Sequence, residues 1–227
     1  ASVINNKEIK MESQSIGIIF PVYYADIPVI VKKFFEKIEN LENKYIYVIG
    51  NFGGGIGNSF KTIDEILLKK NIKVSAKFGM HMVQNAFKKI GEKPDNIYLK
   101  AEKFINKIAP KIQKQKKVQM TQTPVFNIIQ KFFINYIKNM SIEHFKKLYK
   151  IETEEYDFDD FIHRADITFS SKENCNRCGI CVQVCPVNNI SFDEGKPVWN
   201  HKCENCGGCY NFCPQVAIET KIFQKDY

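Results

Sequence analysis

No stretch of the 227-residue chain comes near the roughly 18 uncharged apolar residues that a membrane span requires. The best candidate, Ser15 to Val31, is interrupted by Pro21, Asp26 and Pro28. No basic-apolar-small pattern opens the chain, and the expectation is an intracellular, cytoplasmic protein. Its first residue is Ala1 and not Met, which fits a processed chain or the remainder of a longer one. Cysteine is missing from the first 174 residues, and all eight thiols lie between Cys175 and Cys213. In an intracellular protein such clustering reads as metal ligation before disulfides.

Composition excludes the fibrous, collagen-like and disordered classes, with 44% hydrophobic and 26% charged residues. The length suits two domains. Charge is divided unevenly: residues 1–150 carry 26 Lys and 12 acids for a net +14, and residues 151–227 carry 7 basic and 13 acidic residues for −6. Two regions with different surfaces follow.

Residues 175–190, CNRCGICVQVCPVNNI, and 203–218, CENCGGCYNFCPQVAI, are one pattern displaced by 28, with seven of sixteen positions identical. Each half is spaced C-x2-C-x2-C-x3-C-P, the run that holds a [4Fe-4S] cubane and lends its fourth Cys to a second cluster. Three thiolates on a tight loop reach three irons, and the fourth points to the pseudo-symmetric partner. The expected sets are Cys175, Cys178, Cys181 and Cys213 for one cluster, and Cys203, Cys206, Cys209 and Cys185 for the other. Gly179 and Gly207 stand where backbone must wrap a sulfur-rich core with its amides turned inward. Structural zinc favours paired CxxC elements separated by a longer loop, and three cysteines at x2, x2 do not divide into pairs. His201, two residues before Cys203, is expected to be structural because all eight ligand positions are already Cys. His81, His144 and His163 receive no role.

Residues Asp166 to Phe223 resemble the bacterial two-cluster ferredoxins. Ile167 to Phe169 and Ile218 to Phe223 are expected to pair as an outer ribbon, and Ile190 to Trp199, turning at Asp193 to Pro197, as a hairpin.

In the basic region, Ile16 to Phe20 and Tyr45 to Ile49 are apolar runs ending at Pro21 and Gly50, as strands buried on both faces do. A helix with Asp26 as N-cap and Pro28 in its first turn follows the first run, turning Val31, Phe34, Phe35 and Ile38 inward. Asn51 to Asn58 follows the second, then a helix carrying Phe60, Ile63, Ile66 and Leu67. A third strand alternates Ile72, Val74, Ala76, Phe78 and Met80. Alternating strands and helices predict a doubly wound parallel sheet with ligands at the carboxyl ends of its strands. The glycine loop is neither a Walker A motif nor GxGxxG; it lets backbone approach a flat ligand, with Tyr23, Tyr24 and Phe52 as stacking surface.

IGIIFPVYYADIP, YIYVIGNFGGGIGNS and KFGMHMVQN resemble the second half of a flavodoxin-like domain, especially in the flavodoxin/ferredoxin fusion proteins of anaerobes. The resemblance implies FMN, flanked by Tyr23, Tyr24, Ala25 and Asp26 on one loop and by Asn51, Phe52, Gly53, Gly54, Gly55 and Gly57 on the other. It also implies a first strand and a phosphate-cradling loop, neither of which has a counterpart between Ala1 and Ser15. Without that central strand the sheet is expected to expose an apolar edge.

The resulting expectation is an incomplete flavodoxin-like α/β domain over residues 1–95, a helical connector over 96–163, and a ferredoxin-like α+β domain with two [4Fe-4S] clusters over 164–227. In the connector, Ile97, Ala101, Phe104, Ile105 and Ile108 share a face before Pro110. A second helix opens at Thr123-Pro124 with Val125, Ile129, Phe132, Phe133, Tyr136 and Ile137 inward, and Ser141 caps a third. The lysines at 100, 103, 107, 111, 114, 116 and 117 form a solvated face or meet an acidic redox partner or anionic membrane surface, in a protein with no nucleic-acid motif. Residues 152–160, six acids in nine, read either as an exposed hinge or as acids that neutralise the lysine-rich helices within the chain.

Cubanes exchange single electrons. Eight thiolates and two oxidised cores take residues 151–227 from −6 to roughly −10, which points to low potentials. The leading reading is an electron carrier whose clusters relay electrons between a redox protein partner and FMN. The alternative is a flavin-free ferredoxin module docked on a larger oxidoreductase. No acid-base or nucleophile pair marks a catalytic residue.

Overall fold

The computed structural model describes residues 5–83, 94–122, 133, 136, 139–140, 142–150 and 156–222. The chain divides into two compact units, residues 1–84 with 91–135 and residues 85–90 with 136–227.

In the first unit β1 (Ile9–Lys10) pairs in parallel with β3 (Ile38–Glu39). The main sheet joins β2 (Ser15–Pro21), β4 (Tyr45–Phe52), β5 (Ala76–His81) and β6 (Val118–Thr121), all parallel and in chain order. The apolar runs become strands because both faces of the sheet are covered. Side chains alternate across β4. Ile46, Val48 and Phe52 meet Phe35 and Ile38 at the end of α1 (Val29–Lys37) and Phe60, Ile63 and Leu67 of α2 (Ser59–Leu68). Tyr45, Tyr47 and Ile49 face Phe104 and Ile108 of α3 (Pro94–Gln113) on the other side. Burying each such side chain contributes about 1.5–3 kcal/mol. β2 is left at the sheet edge with Ile19 69% exposed, the apolar edge that the sequence predicts.

Three expectations are corrected in this unit. Pro28, not Asp26, is the N-cap of α1, and no side chain caps it. Asp26 is buried and bonds elsewhere, accepting from the Ile27 backbone N–H at 2.9 Å and the Thr62 hydroxyl at 2.7 Å. The third strand begins at Ala76, so Ile72 and Val74 precede it. Helix α3 runs through Pro110 to Gln113 and belongs with β6 to the first unit, not to a connector. Proline removes one donor and crowds the turn before it, but Pro110 lies on the exposed side of the last turn while Ile97, Ala101, Phe104 and Ile108 bury the opposite stripe.

In the second unit residues 142–149 are helical, and Phe145 stacks on Tyr149 at 5.5 Å and on Phe161 at 6.4 Å. Tyr136 here and Phe133 of the first unit, both expected inward, are exposed. Val125, Ile129, Phe132, Ile137, Thr123-Pro124 and Ser141 lie outside the described residues, as do residues 151–155 of the acidic segment. Asp157 and Asp160 form a reciprocal capping box at the start of α4 (Phe158–His163), satisfying two otherwise orphaned N–H groups. A 3-10 turn follows over Arg164–Thr168.

The predicted ribbon's first strand starts three residues later than expected, as β7 (Ser170–Ser171) paired with β10 (Ile218–Glu219), because Ile167 and Thr168 are taken up by the 3-10 turn. The hairpin pairs β8 (Ile190–Asp193) with β9 (Lys196–Trp199) antiparallel. Its loop is Glu194-Gly195, at φ 46° and 77°, which suits a two-residue turn of the strand-matching hand. Pro197, expected in the turn, pairs with Phe192. Among the described residues no helix is long and apolar enough to cross a membrane.

Candidate metal centre

The repeat is reproduced in the backbone. Helices α5 (Ile180–Gln183) and α6 (Gly208–Asn211) are both capped by a left-handed glycine, Gly179 at φ 78° and Gly207 at φ 69°. Two further pairs displaced by 28 are also left-handed: Arg177 with Asn205, and Asn188 with Val216. Positive φ is costly for residues that carry a Cβ. Its recurrence at matching positions indicates a loop shape imposed by what it must surround.

Amides turn towards sulfur in the same repeated way. The N–H of Asn189 donates to Cys185 Sγ and that of Ala217 to Cys213 Sγ, each at 3.2 Å. In the second repeat Asn205 N–H reaches Cys203 Sγ at 3.2 Å and Gly208 N–H reaches Cys206 Sγ at 3.4 Å. Hydrogen bonds to the charged form favour a thiolate.

The cysteines converge on two cavities. One is lined by Cys175, Cys178, Cys181 and Cys213. The other is lined by Cys185, Cys203, Cys206 and Cys209. Each space is lined by three thiols of one repeat and the fourth of the other. No three His, Cys, Asp or Glu side chains among the described residues stand close enough to grip one ion. Four thiols around a space with inward amides fit a polynuclear cluster better than a single zinc.

The two sites differ in exposure. Cys178 is exposed, whereas Cys181 and Cys209 are buried. Burial raises the Cys181, Cys203 and Cys206 thiols, and pushes Cys209 up to about 12. The neighbouring amides of Val182, Asn205 and Gly208 pull the first three back, and the Trp199 indole and the Tyr210 amide pull back Cys209. Such thiols stay protonated until a metal displaces the proton.

Sequence reasoning missed the polar frame around the second site. Asp166 is 2% exposed and accepts from the Asn189 side-chain amide at 2.7 Å, the His201 backbone N–H at 2.9 Å and His201 Nδ1–H at 2.7 Å. Asn189 Oδ1 in turn accepts from Lys202 N–H at 2.6 Å. His201 therefore holds the approach to Cys203, the structural role expected of it. His163 Nδ1–H donates to the Cys203 carbonyl at 3.0 Å, and Cys203 N–H to the His163 carbonyl at 3.1 Å.

The flavin candidates lie together at the carboxyl ends of β2 and β4, with the two loops bonded to each other. Asn58 N–H donates to the Ala25 carbonyl at 2.8 Å, and a Cβ on Gly57 would lie 1.9 Å from that oxygen. Tyr23, Tyr24, Ala25, Asn51 and Gly53 are half-buried and Gly54 is exposed, whereas Asp26, Gly55 and Gly57 are buried. Phe52 is corrected as a stacking surface: it is 1% exposed, inside the core, with its ring 5.9 Å from His81. The pattern could not separate a core aromatic from a ligand-facing one because Phe52 sits at the strand's last position. His81 Nε2–H reaches the Gly53 carbonyl at 3.0 Å.

No curated protein and no solved structure matches the chain. Residues 165–218 match the family model of the 4Fe-4S dicluster domain, which supports a ferredoxin-like C-terminal region and an iron-sulfur electron-transfer role.

Proposed function

We propose that the protein is a one-electron carrier holding two [4Fe-4S] clusters, one on Cys175, Cys178, Cys181 and Cys213 and one on Cys203, Cys206, Cys209 and Cys185. The observation that carries this reading is the pair of cavities, each lined by three thiols of one repeat and the fourth of the other. A cubane exchanges single electrons, and thiolates, amide donors and burial set its potential. A redox protein with an acidic face is the partner this reading favours, because residues 1–150 carry +14 and the lysines at 100, 103 and 107 are exposed on α3.

A second reading adds FMN at the carboxyl ends of β2 and β4. Consecutive left-handed Tyr24 (φ 50°) and Ala25 (φ 58°) favour it, since strained backbone gathers at ligand sites. The residues fit a flat ring against the Tyr23-Tyr24 and Gly53-Gly54 surface, and nothing between Ala1 and Ser15 resembles a phosphate cradle. When bound, FMN converts one-electron flow into two-electron chemistry.

An anaerobic absorption spectrum with iron and sulfide analysis tests both readings. Eight irons per chain with a broad band that bleaches on reduction is the expected result. Zinc in place of iron overturns the proposal. Separate flavin peaks establish the second reading, and their absence on titration with FMN removes it.

A further inference from the structure

Trp199 is the one tryptophan of the chain. It ends strand β9, is 8% exposed, and packs against Phe169 with ring centroids 5.6 Å apart. Its indole Nε1–H is buried without a formed hydrogen bond. A buried donor without a partner is destabilising, so its persistence calls for an acceptor. The ring lines the cavity of the second site, beside Cys185, Cys203, Cys206 and Cys209. Trp199 and Cys209 belong to one buried cluster and line this cavity together, and the indole N–H holds that thiol down against the rise that burial causes. A neutral thiol is a weak acceptor, whereas a cluster-bound thiolate is a charged one.

Among the described residues the first site has no such buried side-chain donor. Ile180, Phe192 and Ile218 close its cavity beside the cysteines and offer none, and its two side-chain amides, Asn176 and Gln215, are exposed to solvent. The repeat thus presents two pseudo-equivalent cysteine sets with one indole N–H between them.

We propose that Trp199 donates an N–H···S hydrogen bond to the Cys209 thiolate of the second cluster and so raises that cluster's potential relative to the first. This rests on the two-cluster reading above. Donors to cluster sulfur stabilise the reduced state, whose added negative charge resides on the core and its sulfurs. When a one-electron donor reduces the protein once, the first cluster's loss of that electron to the second leaves one cluster reduced and one oxidised. Trp199 biases that equilibrium towards the second site.

Anaerobic redox titration of the full chain, followed by paramagnetic resonance, tests this. In Trp199→Phe one midpoint falls, by about tenfold in the one-electron equilibrium or about 59 mV, and the other stays. In a Cys185→Ser background, which keeps the first cluster, Trp199→Phe changes nothing. Because the chain has one tryptophan, growth on benzothienylalanine replaces the N–H by sulfur at this position alone with the ring shape kept. The same fall is expected, and this form decides the matter if Trp199→Phe fails to load clusters. An unchanged midpoint in the benzothienyl protein, or an equal shift of both clusters, overturns the inference and leaves the two-cluster reading standing. A wild-type protein without two iron-sulfur signals would instead overturn the reading beneath it.

Discussion

Cys181 and Cys185 are four residues apart, yet they line different cavities. Helix α5 ends at Gln183, and the chain then carries Cys185 across to the thiols of the second repeat. Cys209 and Cys213 stand in the same relation around α6, in the opposite sense. On the proposed two-cluster reading, neither set of four is complete without the other repeat.

The exchange gives opposite outcomes for two cysteine variants. Cys213→Ser is expected to damage the cluster of Cys175, Cys178 and Cys181, and Cys185→Ser the cluster of Cys203, Cys206 and Cys209. Each variant should retain about half its iron. Resonance spectra of the two half-loaded proteins check this, and loss of the cluster built on the variant's own repeat would show that each repeat keeps its fourth cysteine.

Asp166 holds two segments of the second unit together by accepting from Asn189 and His201. Asp166→Ala leaves the buried amide of Asn189 without that acceptor and is expected to cost about 3 kcal/mol, with Asp166→Asn costing about 1 kcal/mol because one oxygen remains. The check is the midpoint of guanidinium-driven bleaching of the loaded protein under anaerobic conditions. Equal midpoints for wild type and Asp166→Ala would show that the frame adds no stability.

The buried thiols predict a pH dependence for the cluster-free, reduced protein. Their folded pKa values lie above the ordinary thiol value of 9.0, with Cys209 at about 12. The unfolded chain therefore loses these protons first. Stability is fully present below about pH 9 and is lost as pH rises towards 12, so the thermal midpoint by circular dichroism should be lower at pH 11 than at pH 8.

Gly57 joins the two loops of the first unit. Its φ of +56°, and the mere 1.9 Å that would separate an added Cβ from the Ala25 carbonyl oxygen, leave no room for a side chain. Gly57→Ala is expected to cost at least about 3 kcal/mol, from left-handed strain of about 1–2 kcal/mol plus the displacement of backbone. Urea unfolding followed by circular dichroism measures the loss, with the iron-sulfur absorbance unchanged before unfolding. A fully stable variant would mean that the loops can part without cost, as an opening ligand site requires.

The cluster site was legible in the order of residues because sulfur ligation is a matter of local spacing. Cysteines at x2, x2 and x3 define one loop and one short helix, and the second copy supplies the partner. The β-α-β pattern of the first unit was legible for a similar reason, since Ile16 to Phe20 and Tyr45 to Ile49 are almost wholly apolar. Asp26 misled because its capping residue type also serves a buried bond to Thr62, 36 residues away.

What sequence alone indicates here is iron-sulfur chemistry and a repeated cysteine unit, both set by short-range spacing. Tertiary structure alone decided which side chains surround each site. Asp166 meets His201 across 35 residues, Phe52 turns into the core, and Trp199 reaches the second cavity while the first receives no indole. Such placements depend on how separate elements pack, and packing selects by shape and burial, which no local pattern encodes.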